Sequence, residues 1–102
     1  MDRLDYCYTQ RSHELSPHRY KEDMLPSGYF HRNVFISFQE DALGIRLRDI
    51  IGIDNLEWGS DYPHAESTFP ESQRILSEIL QGVPQGEQDM IVGGNCAKLY
   101  GF

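Results

Sequence analysis

Basic residues, cysteine and long apolar runs are all scarce in this sequence of 102 residues. Nine Lys and Arg stand against sixteen Asp and Glu, which gives a formal net charge of -7. That balance argues against nucleic acid as a partner, because binding to phosphates depends on basic side chains. No apolar run approaches the ~20 residues that cross a bilayer, and the first residues lack the apolar stretch of a signal peptide. We therefore expect a cytoplasmic protein that binds neither membranes nor nucleic acid.

The two cysteines, Cys7 and Cys96, lie near opposite ends of the chain and form no C-x-x-C pair. This excludes a disulfide framework or a zinc ribbon as the basis of the fold. Apolar residues make up 39% and aromatic residues 12% of the sequence, which is enough to build a core. The length allows one small domain, since a domain typically takes about 150 residues.

The pattern along the chain predicts the order loop, β, α, β, α, α. Residues 1–32 are polar and without a sustained period, so they are expected to be mostly loop. The run 34–38 (VFISF) is typical of a strand buried on both faces, as in parallel sheets, and 53–60 is a second, less regular strand candidate. Two parallel strands joined by a crossover helix make a right-handed βαβ unit.

Three helical segments are expected around and after these strands. The first has an apolar stripe and ends at Gly52, the second begins near Pro70 behind the capping candidates Ser67 and Thr68, and the third covers 87–92 and is broken by Gly93 and Gly94. Asn95 is then expected to cap a short closing turn. The stripe residues of the first helix are Leu43, Leu47, Ile50 and Ile51, and those of the second are Ile75, Leu76, Ile79 and Leu80.

A pair of parallel strands exposes two sheet edges, and all-parallel sheets are otherwise enclosed by further strands and helices. Either the chain assembles with copies of itself, or it is the end of a longer barrel or doubly wound protein. We expect a homo-oligomer.

Parallel α/β folds build their ligand sites at the carboxyl ends of the strands, which here are residues 39–41 and 60–64. In the second loop a carboxylate, Asp61, precedes an imidazole, His64, by three positions. The pair could bind a divalent metal or act as a general base. The alternative is that Asp61 only forms a turn, through hydrogen bonds to nearby backbone N–H groups. Glu40 and Asp41 in the first loop could bind metal or substrate, or could simply favour a helix N-terminus.

Several longer motifs carry a family resemblance. They are WGSDYPH at 58–64, ESTFP at 66–70, GNCAKLYGF at 94–102, PSGYF at 26–30 and VFISFQED at 34–41. Together they resemble the C-terminal end of amidohydrolase-related proteins, metal-dependent TIM-barrel hydrolases and decarboxylases grouped with aminocarboxymuconate semialdehyde decarboxylase and pyrone dicarboxylate lactonase. The resemblance covers nearly the whole chain. It departs at Gly28, where many relatives have Glu.

The resemblance implies an α/β fold, the C-terminal βαβα portion of a TIM (β/α)8 barrel, with residues 1–102 as a single partial domain. Residues 34–38 would be strand seven and 56–60 strand eight. Asp61 then matches the strand-eight aspartate that serves as a metal ligand or as the acid/base for metal-bound water. Tyr62 and His64 would contact substrate, although a surface position explains His64 equally well.

The family's metal site also needs a His-x-His pair and further histidines. The four histidines of this chain, His13, His18, His31 and His64, contain no such pair, and His13 and His18 are expected to be exposed. The resemblance therefore implies zinc or manganese as cofactor of the complete family protein, with no tightly bound metal in this chain alone. The expected function is that of a C-terminal fragment of a hydrolase or decarboxylase (lyase) acting on a small organic substrate. The alternative is a non-catalytic remnant stabilised by oligomerisation.

Overall fold

The computed structural model describes residues 1–15, 20, 22 and 24–102, with the side chains of 11–15 left out. Backbone contacts divide the chain into two compact units, residues 1–34 and 35–102. The side chain of His13 and the whole of His18 lie outside the described residues, so their predicted exposure stays a prediction. Throughout the described ranges, the helices lack either the length or the apolar character that a membrane crossing requires.

The first unit is more helical than the sequence predicted. Helix α1 spans Asp2–Leu15 and helix α2 spans Pro26–Asn33, so the expectation of a mostly irregular lead-in over 1–32 is wrong. Asp5 explains part of the difference, because its Oδ1 accepts a hydrogen bond of 2.8 Å from the backbone N–H of Ser27 in the first turn of α2. A carboxylate at that place satisfies a free N–H group and favours the positive end of the helix.

The second unit contains the predicted parallel strands and a series of short helices. In chain order its elements are β1 (Ile36–Phe38), α3 (Ala42–Arg46), α4 (Arg48–Ile51), a 3₁₀ turn (Ile53–Asn55), β2 (Leu56–Trp58), α5 (Ser72–Ile79), α6 (Gln85–Asp89), a π-helical segment (Met90–Gly94) and α7 (Asn95–Tyr100). This α/β arrangement agrees with a partial piece of a TIM barrel.

Strands β1 and β2 pair in parallel, with Ile36 opposite Leu56 and Phe38 opposite Trp58. Both strands are shorter than predicted, although the N–H of Gly59 donates to the carbonyl of Phe38 at 3.0 Å and continues the pairing by one residue. The predicted burial of the first strand on both faces is wrong: Ile36 and Phe38 pack against the core, whereas Ser37 between them is exposed. Because the strands run in the same direction, their carboxyl ends meet at one edge of the pair. The two predicted strand-end loops, 39–41 and 60–64, therefore begin side by side.

The core lies between this sheet and the helices that follow it. Its buried side chains are Ile45, Leu56, Leu76, Leu80, Val83 and Ile91. The predicted stripe of α5 is confirmed, since Ile75, Leu76 and Leu80 are buried and Ile79 packs against the core.

The predicted stripe of the helix between the two strands is confirmed only at Ile51, which packs against the core, and is wrong at its other positions. Leu43 and Ile50 are about two-thirds exposed, and the residue that enters the core is Ile45. The segment is not one helix: it breaks at Leu47, between α3 and α4, and the break separates positions that a continuous helix would align.

The chain end also differs from the prediction, because Gly93 and Gly94 continue the helix instead of ending it. A Cβ on Gly94 would lie 3.1 Å from the carbonyl oxygen of Asp89, so glycine permits the close approach of the π-helical turn. Asn95 does not cap a turn. Its buried side-chain amide donates to the carbonyls of Ile53 at 2.7 Å and Leu56 at 2.8 Å, and so joins α7 to the beginning of β2.

Candidate functional site

The loop after β2 is closed on itself by hydrogen bonds to a single carbonyl. The oxygen of Ser60 accepts from the N–H of Thr68 at 3.1 Å and from the hydroxyl of Ser67 at 2.7 Å. Thr68 is buried, and its hydroxyl lies 2.9 Å from that of Ser72 at the start of α5. Ser67 and Thr68 therefore anchor the loop, and they do not provide the predicted helix cap, since α5 has no side-chain cap.

Asp61 stands at the beginning of this loop in a left-handed backbone conformation, with φ of 57°. Few residues other than glycine adopt this region, and Asp and Asn tolerate it best. Such conformations concentrate at functional sites, where the surrounding structure has to hold them. The side chain of Asp61 is about half exposed, so its carboxylate is accessible from solvent.

Two side chains approach the same oxygen of this carboxylate. Gln39, at the end of β1, donates its Nε2 to Asp61 Oδ2 at 2.9 Å. The Nδ1 atom of His64 lies 3.5 Å from the same Oδ2, and it also accepts a 3.3 Å hydrogen bond from the N–H of Glu66. The structure thus brings Asp61 and His64 together, as their spacing predicted, and adds an amide from the neighbouring strand end.

Tyr62 is 65% exposed, and its ring packs edge-on against Phe69 with the centroids 4.9 Å apart. It is joined to Pro63 by a cis peptide bond. Tyr62 and His64 both belong to the loop, but neither lines the open groove described next.

An open groove of about 810 Å³ lies at the carboxyl ends of the two strands, and Asp61 lines it. The other side chains on its walls are mostly acidic or polar, with one guanidinium. That guanidinium, on Arg74, is held by Glu78 at 2.8 Å and Glu71 at 3.1 Å, and the hydrogen bonds, the one to Glu78 first, raise the pKa of Arg74. The charged residues that line the groove are Glu40, Asp61, Glu66, Glu71 and Arg74.

Glu40 and Asp41 have separate roles. Glu40 lines the groove, whereas Asp41 caps α3 by accepting a 2.8 Å hydrogen bond from the N–H of Gly44. Of the two roles that the sequence allowed for Asp41, the structure therefore supports the one at a helix N-terminus.

The grouping of donor atoms decides whether the site can hold a metal ion. Nowhere in the described ranges do three or more His, Cys, Asp or Glu side chains come together in a way that could hold one. A catalytic zinc needs about three protein ligands, and the pair Asp61 and His64 supplies two at most. The donor atoms of Asp61 and His64 therefore do not form a metal site by themselves.

The sequence did not predict the contacts that Gln39 and Trp58 make in this site. The indole Nε1 of Trp58 donates to the backbone carbonyl of Gln39 at 2.9 Å, and this bond ties the two strand ends together. Both residues lie in the family motifs at 34–41 and 58–64. A neutral amide or a core aromatic residue does not by itself indicate a functional site in a sequence.

A carboxylate, an imidazole and an amide thus lie at the carboxyl ends of a parallel strand pair, the edge at which α/β folds place their ligand sites. Comparison with protein families makes this specific: a family model described as amidohydrolase matches residues 18–102. The chain belongs to the amidohydrolase family, whose members are generally metal-dependent. No curated protein is similar enough to this chain to be matched with it.

Proposed function

We propose that this chain provides the strand-eight corner of a metal-dependent hydrolase or decarboxylase that acts on a small organic substrate, with Asp61 as its catalytic carboxylate. The observation that carries the proposal is the setting of Asp61: it lies three residues after β2, has positive φ, accepts a hydrogen bond from Gln39 and lines an open groove. A residue used only to form a turn needs neither the strand-end amide nor the groove.

The carboxylate is suited to accept a proton from a water or substrate in the groove. One oxygen, Oδ2, is engaged by Gln39, which leaves Oδ1 for the reacting group. A carboxylate at such a position is also a hard ligand suited to zinc or manganese, but the remaining ligands have to come from residues other than those of this cluster. A divalent metal bound with those ligands would acidify a bound water.

We assign His64 and Tyr62 to substrate contact. Neither side chain lines the groove, but both follow Asp61 in the same loop and are more than 60% exposed, so they are accessible to a ligand without reorganisation of the core. His64 also lies against Asp61 Oδ2, which places it to bind a polar group next to the carboxylate.

The experiment is steady-state kinetics of the native gene product with added Zn²⁺ or Mn²⁺, on a panel of small cyclic and carboxylated substrates. Asp61→Asn keeps the shape and removes the charge and basicity, so kcat should fall by about 10² to 10⁴ with the fold intact. His64→Asn should mainly raise KM. Asp54→Asn, an exposed aspartate before β2, is the matched control and should leave both constants unchanged.

Metal content is measured alongside for every variant. If Asp61→Asn retains the metal and the wild-type kcat, Asp61 has no part in the chemistry and is only a turn residue. If Asp54→Asn loses as much activity as Asp61→Asn, the loss comes from the change in net charge, and the assignment of Asp61 as the catalytic carboxylate is wrong.

A non-catalytic, oligomeric role is the second candidate, and three observations favour it. The sheet has two strands in the described ranges, and both have an open edge. Leu43 and Ile50 present exposed apolar surface. Glu57 of β2 is only 8% exposed, yet its Oε1 accepts no hydrogen bond from any described residue. A buried acceptor without a partner is unfavourable, so a second copy of the chain could complete this side of the sheet.

A further inference from the structure

We infer that Gln39 is the positioning residue of Asp61: its side-chain amide fixes the rotamer of the carboxylate, so that Oδ2 is held and Oδ1 is left for the reacting group. The effect of this positioning on a reaction rests on the proposed function, whereas the hydrogen bond itself does not depend on that function. The contact is the hydrogen bond of 2.9 Å from Gln39 Nε2 to Asp61 Oδ2.

The need for such a residue follows from the exposure of Asp61. A carboxylate that is 54% exposed on a loop would normally exchange among staggered χ1 rotamers. A single donor on one oxygen selects one of them, and hydrogen bonds to an ionised acceptor are stronger than neutral ones. His64 does not supply this donor, because its Nδ1 accepts from the N–H of Glu66 and lies 3.5 Å from Asp61 Oδ2.

Gln39 is itself held in place by the core. The indole of Trp58 donates to its backbone carbonyl at 2.9 Å, and Trp58 packs against the hydrophobic cluster of the second unit. The series Trp58, Gln39, Asp61 therefore connects a packed aromatic ring to an exposed carboxylate through two hydrogen bonds. A site is most accurate when its contacting groups are fixed by such a supporting layer.

The test measures the χ1 rotamer of residue 61 by three-bond couplings to Cγ in the isotope-labelled chain. Wild type should show the couplings of one staggered rotamer. Gln39→Glu, equal in size but without the amide donor, should give values averaged over several rotamers, and so should Gln39→Met. Tryptophan fluorescence and amide spectra establish that each variant is folded.

A double variant separates positioning from packing. In Gln39→Glu with Asp61→Asn the donor and the acceptor are exchanged, so the hydrogen bond is restored in reverse and the couplings of a single rotamer should return. Gln85→Glu is the matched control, because Gln85 donates to Asp89 Oδ1 at 2.8 Å in another part of the unit and should not affect residue 61.

Wild-type couplings in both Gln39→Glu and Gln39→Met would overturn the inference, and so would a double variant that remains averaged. Neither result depends on activity. If Asp61 loses its single χ1 rotamer in Gln39→Glu while Asp61→Asn keeps full activity, the inference about Gln39 is supported. The proposed function is then refuted instead.

Discussion

Asn95 is a buried polar residue that joins two parts of the second unit. It is only 4% exposed, and its amide nitrogen donates to two backbone carbonyls, those of Ile53 and Leu56. These carbonyls flank the turn that leads into β2, so a single side chain joins the C-terminal helix to the strand that carries the candidate site. Substitution of Asn95 should therefore destabilise the unit rather than alter its surface.

The magnitude follows from the two bonds. Asn95→Ala removes both donors and leaves two buried acceptors, each of which costs about 1–3 kcal/mol when unsatisfied. Because the two share one nitrogen and are not independent, we expect a loss of about 2–4 kcal/mol in the free energy of unfolding. Asn95→Asp should cost at least as much, since it places carboxylate oxygens against carbonyl oxygens.

The assay is urea unfolding followed by the fluorescence of Trp58, the one tryptophan of the sequence and a residue of β2. Gln88→Ala is the matched control, because Gln88 donates one hydrogen bond to one carbonyl, that of Val83, at 2.8 Å. It should cost about 1 kcal/mol. A loss below 1 kcal/mol for Asn95→Ala, or equal losses for the two variants, would refute the reasoning.

Two further predictions concern the first unit and the state of association. The hydrogen bonds from Ser27, that of its side chain first, lower the pKa of Asp5 below 3.8, so the stability that they give is present above pH 3.8 and is lost as the pH falls through the lowered pKa. Asp5→Asn should therefore lower the melting temperature of the helical circular-dichroism signal at pH 7, and the difference from wild type should shrink as the pH falls through the lowered pKa of Asp5. A difference that stays the same at every pH would contradict this. Light scattering at micromolar concentration should give a mass above the 11.8 kDa of one chain, and a cooperatively melting monomer would exclude the oligomer.

The sequence by itself determined the elements that are buried on a regular period. The run around Ile36 predicted the position of β1, although only the face with Ile36 and Phe38 packs against the core. The stripe of Ile75 and Leu76 predicted α5, because burial against an apolar layer imposes the helical period on the side chains. The combined motifs, of which the one around Asp61 is a part, predicted the family. The position of Asp61 after a predicted strand placed its carboxylate at the strand ends, since parallel strands bring their carboxyl ends together.

Other features depend on contacts between residues distant in the chain, and only the tertiary structure decided them. Helix α1 is polar and has no clear apolar stripe, so its sequence does not predict it. The hydrogen bond from the N–H of Ser27 to Asp5 joins α2 to α1, and no local sequence pattern indicates this contact. Asn95 has the residue type of a cap, but the nearby carbonyls of Ile53 and Leu56 are its partners. Gln39 gains its role only because β1 and β2 end side by side, which places its amide within 2.9 Å of Asp61. A neutral amide has no preferred partner until the fold brings one within reach, because hydrogen bonding depends on distance and direction, which residue type alone does not specify.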